Sequence, residues 1–520
     1  MTSARLILFR RLAQTLSVLV LAYILWNTRY PLSGYVNPEF YFLIDPYAMI
    51  ITSIAERVLL PGLAYASILL IITLVLGRGF CGWICPLGAL LDLLSYFRML
   101  ILRLFRLKEK EAEPMPLRYG KYLLLGATII AAIGGLQLAW FLDPITVFAR
   151  SFSFTLHPLI SGSIDRAFTS LLGATGYPGW LESIYDYLRE GFLSLSTPIF
   201  NHAGSILVIF LLILALSLVK RRFWCRYLCP LGATLALPSL GSLLRRDATP
   251  CVKNCGVCGN LCRMNAIRKD NSYIKEECVL CLDCVARCPT EKATFTFRRQ
   301  RPVTRASKAG GAIMTRGSFI AMAGCALAAS SPLAAFGAEK SKAAKKPPRP
   351  GTISRIRPPG ALPEDEFIQR CIRCGNCMKV CPTNVLQPLR IAEGPAMAWT
   401  PVLDTRRGYC EYRCNLCGRV CPTDAIRELT LPRKQKEKIG IARFDPALCI
   451  PYAKGENCIV CEEHCPIPDK AIRVRDGIVK GKTVKLPYVV ADLCIGCAIC
   501  ELKCPTAPDK GIVIDKVRKA

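Results

Sequence analysis

Histidine is nearly absent. The 520 residues hold 3, His157, His202 and His464, and no C-x-x-C pair is followed by one. A relay of bis-histidine haems and covalent c-type haem attachment are thereby excluded. Nothing resembles a dinucleotide-binding glycine fingerprint or a P-loop, which removes nucleotide chemistry. Acidic residues are also few: 38 Asp and Glu stand against 68 Lys and Arg, for a net charge of +30. The surplus basic residues gather beside apolar segments, as the positive-inside bias of membrane proteins predicts. No basic module interleaved with aromatics stands out, so nucleic acid is not an expected partner.

Cysteine, in contrast, is abundant, with 29 residues. A secreted disulfide scaffold would be short and loop-rich. This chain is long, and its cysteines fall in tight C-x-x-C groups, a pattern that reads as reduced thiolates ligating metal or clusters.

Four apolar stretches, 11–28, 58–76, 122–141 and 203–219, each approach the ~20 residues a bilayer core requires. Arg10 and Arg11 precede the first. Arg98, Arg103, Arg106, Lys108, Lys110, Arg118 and Lys121 lie between the second and third, and Lys220, Arg221 and Arg222 follow the fourth. The connections 29–57 and 142–202 are poorer in Lys and Arg. The N-terminus is therefore expected to face the cytoplasm, with both connections outside.

The two halves of this region repeat. "FLIDPYAMI" follows the first stretch and "WFLDPITVF" the third; "FCGWICPLGA" and "FWCRYLCPLGA" follow the second and fourth. Each half has two spans, so a parallel repeat about an axis along the membrane normal is expected. That axis brings Asp45 near Asp143 on the outer side. It brings Cys81, Cys85, Cys225 and Cys229 together on the inner side. Four converging sulfurs suit a metal or iron–sulfur site, a redox dithiol pair, or plain core packing. Asp45-Pro46 and Asp143-Pro144 read as helix starts, Asp at the N-cap and Pro after it. The functional reading makes the two aspartates proton acceptors beside a quinol site.

Residues 245–297 form a small cysteine-rich module. Its second run, Cys278, Cys281, Cys284 and Cys288 followed by Pro289, is the bacterial ferredoxin spacing, in which the fourth cysteine ligates the other cluster. One [4Fe–4S] site then takes Cys278, Cys281, Cys284 and Cys262, and another takes Cys251, Cys255, Cys258 and Cys288. The first run departs from the pattern: Arg263 stands where proline is usual, and zinc is the alternative there. Residues 298–362 are a basic stretch, an apolar small-residue segment at 317–338 and a polar linker.

Residues 363–520 carry four more runs: Cys371, Cys374, Cys377, Cys381; Cys410, Cys414, Cys417, Cys421; Cys449, Cys458, Cys461, Cys465; and Cys494, Cys497, Cys500, Cys504. Proline follows the last cysteine of each. The two regular runs are outermost, which suggests nested exchange of fourth ligands. Six [4Fe–4S] clusters account for 24 cysteines and the membrane motifs for 4; Cys325 is left over and reads as a packed small residue.

The expected fold is an α-helical membrane domain at 1–244, with four spans and a two-fold internal repeat, joined to α+β bacterial-type ferredoxin domains. The chain resembles a fusion of the NapH-type and NapG-type polyferredoxin subunits of periplasmic nitrate reductase systems. The portion through "CVARCPTEKA" is similar to the first: four spans, two C-x3-C-P motifs and a two-cluster module. The remainder, with an export-like segment opening "MTRGSFIAMAG" and four runs, is similar to the second. Gly317 occupies the place of the second arginine of a twin-arginine signal. Methylamine-utilisation ferredoxin-like proteins are similar to the same pattern. The resemblance implies a bacterial inner-membrane protein taking electrons from quinol in the quinone pool to a periplasmic redox partner, a cytochrome or molybdenum reductase. It places 245–297 in the cytoplasm and 363–520 in the periplasm. Two alternatives accompany it: an accessory protein handling Cu(I) on soft thiolates, and electron flow from a cytoplasmic ferredoxin to quinone.

Overall fold

The computed structural model of the chain describes residues 3–32, 37–105, 115–191, 193, 198–247, 255–268, 272–297 and 355–516. The 317–338 segment, Cys325 and Cys251 lie outside the described residues. The chain divides into two compact units.

The first unit takes in 1–25, 39–152 and 204–339. Its α-helices of eight or more residues, among those described, are α1 (Ser3–Asn27), α2 (Pro46–Glu56), α3 (Gly62–Leu76), α4 (Pro86–Leu104), α5 (Gly120–Ile133), α6 (Pro144–Ser151), α7 (Ala203–Val219) and α8 (Pro230–Ser239). Of the four expected spans, only α1, over Arg5–Asn27, is long and apolar enough to cross a bilayer unaided. α3 begins at Gly62, directly after Pro61 at its N-cap. α5 stops at Ile133, where Gly134 and Gly135 interrupt the apolar run that continues in sequence to 141. These helices are apolar on their outward faces. Leu8, Leu12, Leu16 and Leu19 of α1, Ile68 and Ile71 of α3, Leu93 and Leu100 of α4 and Val208, Leu211 and Leu212 of α7 are all exposed. Within the apolar window of α1 only 22% is buried.

The same unit holds the small cysteine-rich module. Its ends are tied by β1 (Leu244–Asp247), antiparallel to β2 (Thr294–Phe297).

The second unit takes in 26–38, 153–203 and 340–520. Part of the 142–202 connection carries a helical hairpin, His157–Thr175 and Gly179–Gly191. Gly176 makes the turn in the left-handed region, and Tyr185 Oη donates to Asp165 Oδ1 at 2.6 Å across the hairpin. The cysteine-rich domain contains the β3 (Leu386–Pro388) and β4 (Pro401–Leu403) pair. Its later half contains β5 (Gly440–Phe444), then the hairpin of β6 (Ile472–Val479) and β7 (Lys482–Val489), then β8 (Ile512–Lys516). β8 returns antiparallel to β5, so the third and fourth cysteine runs lie inside one closed sub-domain. This domain packs on the other segments of its unit. Asn201 N donates to Gln387 Oε1 at 2.9 Å, Asn384 Nδ2 to the Ile199 carbonyl at 2.9 Å, Arg407 Nη2 to Asn201 Oδ1 at 2.7 Å and Lys379 Nζ to the Trp26 carbonyl at 3.2 Å.

Candidate metal centres

Each regular run must wrap three cysteines around one point within seven residues. The backbone does this by entering the left-handed region twice per run. Leu280, Arg373 and Gly496, each just before the second cysteine, have φ of 50°, 53° and 75°. Leu282, Gly375 and Ala498, each just after it, have φ of 60°, 90° and 71°. Leucine, arginine and alanine adopt this conformation at a cost of roughly 1 kcal/mol or more each. Repetition of the same strain at equivalent positions of three loops marks it as part of the site.

The loops line five small pockets. Cys262, Cys278, Cys281 and Cys284 line one, the set the spacing groups together. In the larger domain the sets are Cys371, Cys374, Cys377 with Cys421, and Cys410, Cys414, Cys417 with Cys381. They continue with Cys449, Cys458, Cys461 with Cys504, and Cys494, Cys497, Cys500 with Cys465. These linings correct the nested order: they group the first run with the second and the third with the fourth. Exchange between sequence neighbours closes short loops and costs less chain entropy. Cys255, Cys258 and Cys288 lie in the module, with Cys258 buried against Cys284 and Cys288; their expected partner Cys251 is outside the described residues.

The chemistry of these pockets fits iron–sulfur clusters. Their other linings are apolar, such as Val279, Met264 and Ile267 in the first. Backbone N–H groups of Ala266, Ile426 and Ala442 donate to the sulfurs of Cys262, Cys421 and Cys494 at 3.1, 3.4 and 3.4 Å. Burial pushes the Cys278 thiol up to about 12 and those of Cys284 and Cys421 up to about 11. Iron binding must displace those protons, so assembly couples metal to folding. No three His, Cys, Asp or Glu side chains among the described residues are close enough to share a single metal ion.

The four membrane-domain cysteines do converge. Cys81, Cys85, Cys225 and Cys229 are all buried and within electrostatic reach of one another. Cys85 and Cys229 precede α4 and α8 at equivalent places, and their sulfurs accept from Gly88 N at 3.4 Å and Gly232 N at 3.2 Å. A helix N-terminus favours the thiolate. Two fully buried arginines add positive charge. Arg78 faces Cys81 and Cys229; Arg222 faces Cys225 and bonds the Cys81 carbonyl at 3.1 Å. Each arginine lies three residues before the first cysteine of its motif.

The module docks directly on this site. Trp83 Nε1 donates to the Leu280 carbonyl at 2.9 Å, and a Cβ on Gly82 would lie 2.2 Å from the Val279 oxygen, so only glycine admits the cluster loop there. A buried ionic chain holds the contact. Asp92 accepts from Arg222 Nε at 2.7 Å and pairs with Arg263 at 2.9 Å; Arg263 pairs with Asp283 at 2.6 Å, and Asp283 with Arg10 at 2.6 Å. Lys121 grips Glu277 at 2.5 Å. In the sequence Arg263 stands out only as a missing proline. Here it is the bridge between the module and α4. The signal was Asp92, an isolated acid within "LLDLLS".

Asp45 and Asp143 are both helix caps, of α2 and α6, as the Asp-Pro pairs suggest; the expected separation of aspartates and cysteines onto opposite sides is corrected, because Tyr41, four residues before Asp45, donates to the Ile84 carbonyl at 3.2 Å inside the first cysteine motif.

Comparison with known proteins fits this geometry. A family model described as a 4Fe-4S binding domain matches two separate stretches, 58–108 and 203–247, each containing one C-x3-C-P motif. A 4Fe-4S dicluster domain matches 370–425, which spans the first and second runs. Over 150 residues, 29% of this chain and 67% of the relative, the sequence is 34% identical to the methylamine utilization ferredoxin-type protein MauM of Methylorubrum extorquens. The chain belongs to the MauM family of ferredoxin-type proteins. It is also 35% identical to the ferredoxin-type protein NapG of Escherichia coli over 154 residues, 29% of this chain and 66% of NapG. YccM of Escherichia coli is 28% identical over 273 residues, 49% of this chain and 63% of YccM. No solved structure matches. As a ferredoxin-type protein with 4Fe–4S domains, the chain works in electron transfer.

Proposed function

We propose that this is a membrane-bound iron–sulfur conduit that takes electrons from quinol and passes them towards a periplasmic reductase system. Six [4Fe–4S] clusters are held by the 24 cysteines of the ferredoxin-type runs, in the sets given above, with Cys251 completing the sixth. A seventh site is held by Cys81, Cys85, Cys225 and Cys229. Bound there, a cluster supplies one-electron exchange; the surrounding residues bury it, offset its charge through Arg78 and Arg222, and hold it beside the next site.

One observation carries this reading. The loop of Cys278 to Cys284 rests on Gly82 and Trp83, inside the first cysteine motif, and Arg222 faces both Cys225 and Cys281. The match of one 4Fe-4S model to both motifs supports a paired cluster site related by the internal repeat.

Exposed apolar faces on α1, α3, α4 and α7 support a multi-pass membrane domain, including helices shorter than a bilayer core. The basic flanks put the cysteine motifs and the 245–297 module on the cytoplasmic side. The domain from 363 onward packs on residues 26, 154 and 199–201, segments that the charge bias puts outside. That supports a periplasmic location for it.

The test is to mix the purified full chain with menaquinol or ubiquinol and follow the visible absorption of the clusters. Bleaching by at least one quinol is expected. Clusters that bleach with dithionite but with neither quinol refute the donor assignment.

A further inference from the structure

Asp45 and Asp143 each use one carboxylate oxygen to cap a helix. Asp45 Oδ1 accepts from Tyr47 N at 3.0 Å and Ala48 N at 3.3 Å; Asp143 Oδ2 accepts from Thr146 N at 2.6 Å. The remaining oxygens, Asp45 Oδ2 and Asp143 Oδ1, are buried and take no hydrogen bond from a capped backbone or other donor. The two carboxyls face each other, at 1% and 0% exposure, and neither is in an ion pair among the described residues. Capping requires only an acceptor, which Asn or Ser supplies equally well. Two carboxylates placed side by side in a dry interior cannot both be ionised.

The groups facing the pair connect it to the cysteines. Tyr41, in the short helix Phe40–Leu43, faces both aspartates and Cys85, and its hydroxyl donates to the Ile84 carbonyl at 3.2 Å, within the first cysteine motif. Tyr47, on α2, faces both aspartates and Cys229. Thr128 of α5 lies against the Tyr47 hydroxyl. Tyr41 and Tyr47 are thus each within electrostatic reach of the carboxyl pair and of one half of the four-cysteine site.

We propose that Asp45 and Asp143 hold one proton between them, and that the pair takes up a second proton when the four-cysteine site gains an electron. This rests on the reading of that site as redox-active. The balance is one electron in, from quinol or a chemical reductant, and one proton in, from the quinol hydroxyl or from water. The buried interior then sees no net change of charge, which is what its low dielectric favours. On reoxidation both leave. The tyrosines separate the two events in space while keeping them electrostatically linked.

The test is redox-difference infrared spectroscopy on the full chain in lipid nanodiscs, with dithionite as reductant, on the wild type, Asp45→Asn, Asp143→Asn and Cys225→Ser. Asparagine keeps each cap, so the helices should start as before, and cluster absorption and iron content check folding. The expected result is a protonated-carboxyl band that changes on reduction, shifts in D2O and is lost in both Asn variants. In parallel, the midpoint potential that depends on Cys225 should fall as pH rises in the wild type and lose that slope in both variants. A Cys225-dependent redox species with no carboxyl band, or with a band that survives in both Asn variants, overturns the proton-sharing pair and leaves the conduit standing. Redox spectra identical in wild type and Cys225→Ser remove the four-cysteine site and the present inference with it.

Discussion

Arg222 Nη2 donates to the carbonyl of Gly88 at 3.4 Å, so the arginine of the second cysteine motif reaches into the turn of the first. The reverse also holds: a Cβ on Gly232 would lie 2.9 Å from Arg78 Nη2. This crossed arrangement ties the two motifs together at the point where their cysteines meet. It also leaves each arginine buried, with its charge answered by a carboxylate, Asp92 for Arg222 and Glu277 for Arg78.

Replacing Arg222 with methionine should therefore be costly. It strips Asp92 of its two shortest arginine contacts and removes positive charge beside Cys225. Breaking one partner of a buried pair costs about 3–5 kcal/mol. The double change Arg222→Met with Asp92→Leu should recover part of that loss. Thermal unfolding in detergent measures both; a single variant within about 1 kcal/mol of wild type speaks against a structural role for the pair.

Ligand exchange between neighbouring runs makes a counting prediction. Cys371 and Cys421 line one cavity, Cys449 and Cys504 another. The double variant Cys371→Ser with Cys421→Ser should lose one cluster's worth of iron and sulfide. Cys371→Ser with Cys504→Ser should lose two. Nested exchange demands the opposite outcome, and iron analysis of the reconstituted proteins decides between them.

The cysteine runs, the repeated motif and the two Asp-Pro caps were legible because each is a local pattern with fixed spacing. The order of exchange was not. It depends on which strands close on each other, and the pairing of Gly440–Phe444 with Ile512–Lys516 is a contact between distant segments. The ionic chain was hidden for a different reason. Arg10, Arg222 and Arg263 look like topogenic charge beside apolar runs, and only packing reveals them as bridges. Helix lengths were overestimated where Pro61 and Gly134-Gly135 cut apolar runs that hydropathy alone reads through.

Gly82→Val tests the close approach of the cluster loop. A side chain there meets the Val279 carbonyl oxygen at 2.2 Å and its carbon at 3.3 Å, so backbone must move. Overpacking of this kind costs about 1–3 kcal/mol. Reduction of the module by quinol should fall more than its iron content does. Equal losses in both would mean that the contact serves assembly alone.

Stability of the larger domain should depend on pH through Glu364. Burial would raise its pKa, but hydrogen bonds from Arg357, at 2.5 and 3.1 Å, and the arginine charge hold it below the ordinary 4.5. With the folded value depressed, the contribution is present above pH 4.5 and is lost as pH falls through the folded value. Glu364→Gln should destabilise by about 1–2 kcal/mol near neutrality, and the gap from wild type should narrow below pH 4.5. Melting curves across pH 3 to 7 give the answer; a gap that stays constant contradicts the ion pair as its source.

Everything proposed for the membrane domain turns on Cys81, Cys85, Cys225 and Cys229 forming one redox site between quinol and the clusters. The most direct measurement is the rate of quinol-driven cluster reduction in Cys225→Ser, compared with reduction by dithionite. The quinol rate should fall sharply with dithionite reduction and ferredoxin-type cluster content intact, and should fall equally in Cys81→Ser, Cys85→Ser and Cys229→Ser, because a four-ligand site fails as a unit. Normal quinol-driven reduction in all four variants would contradict it.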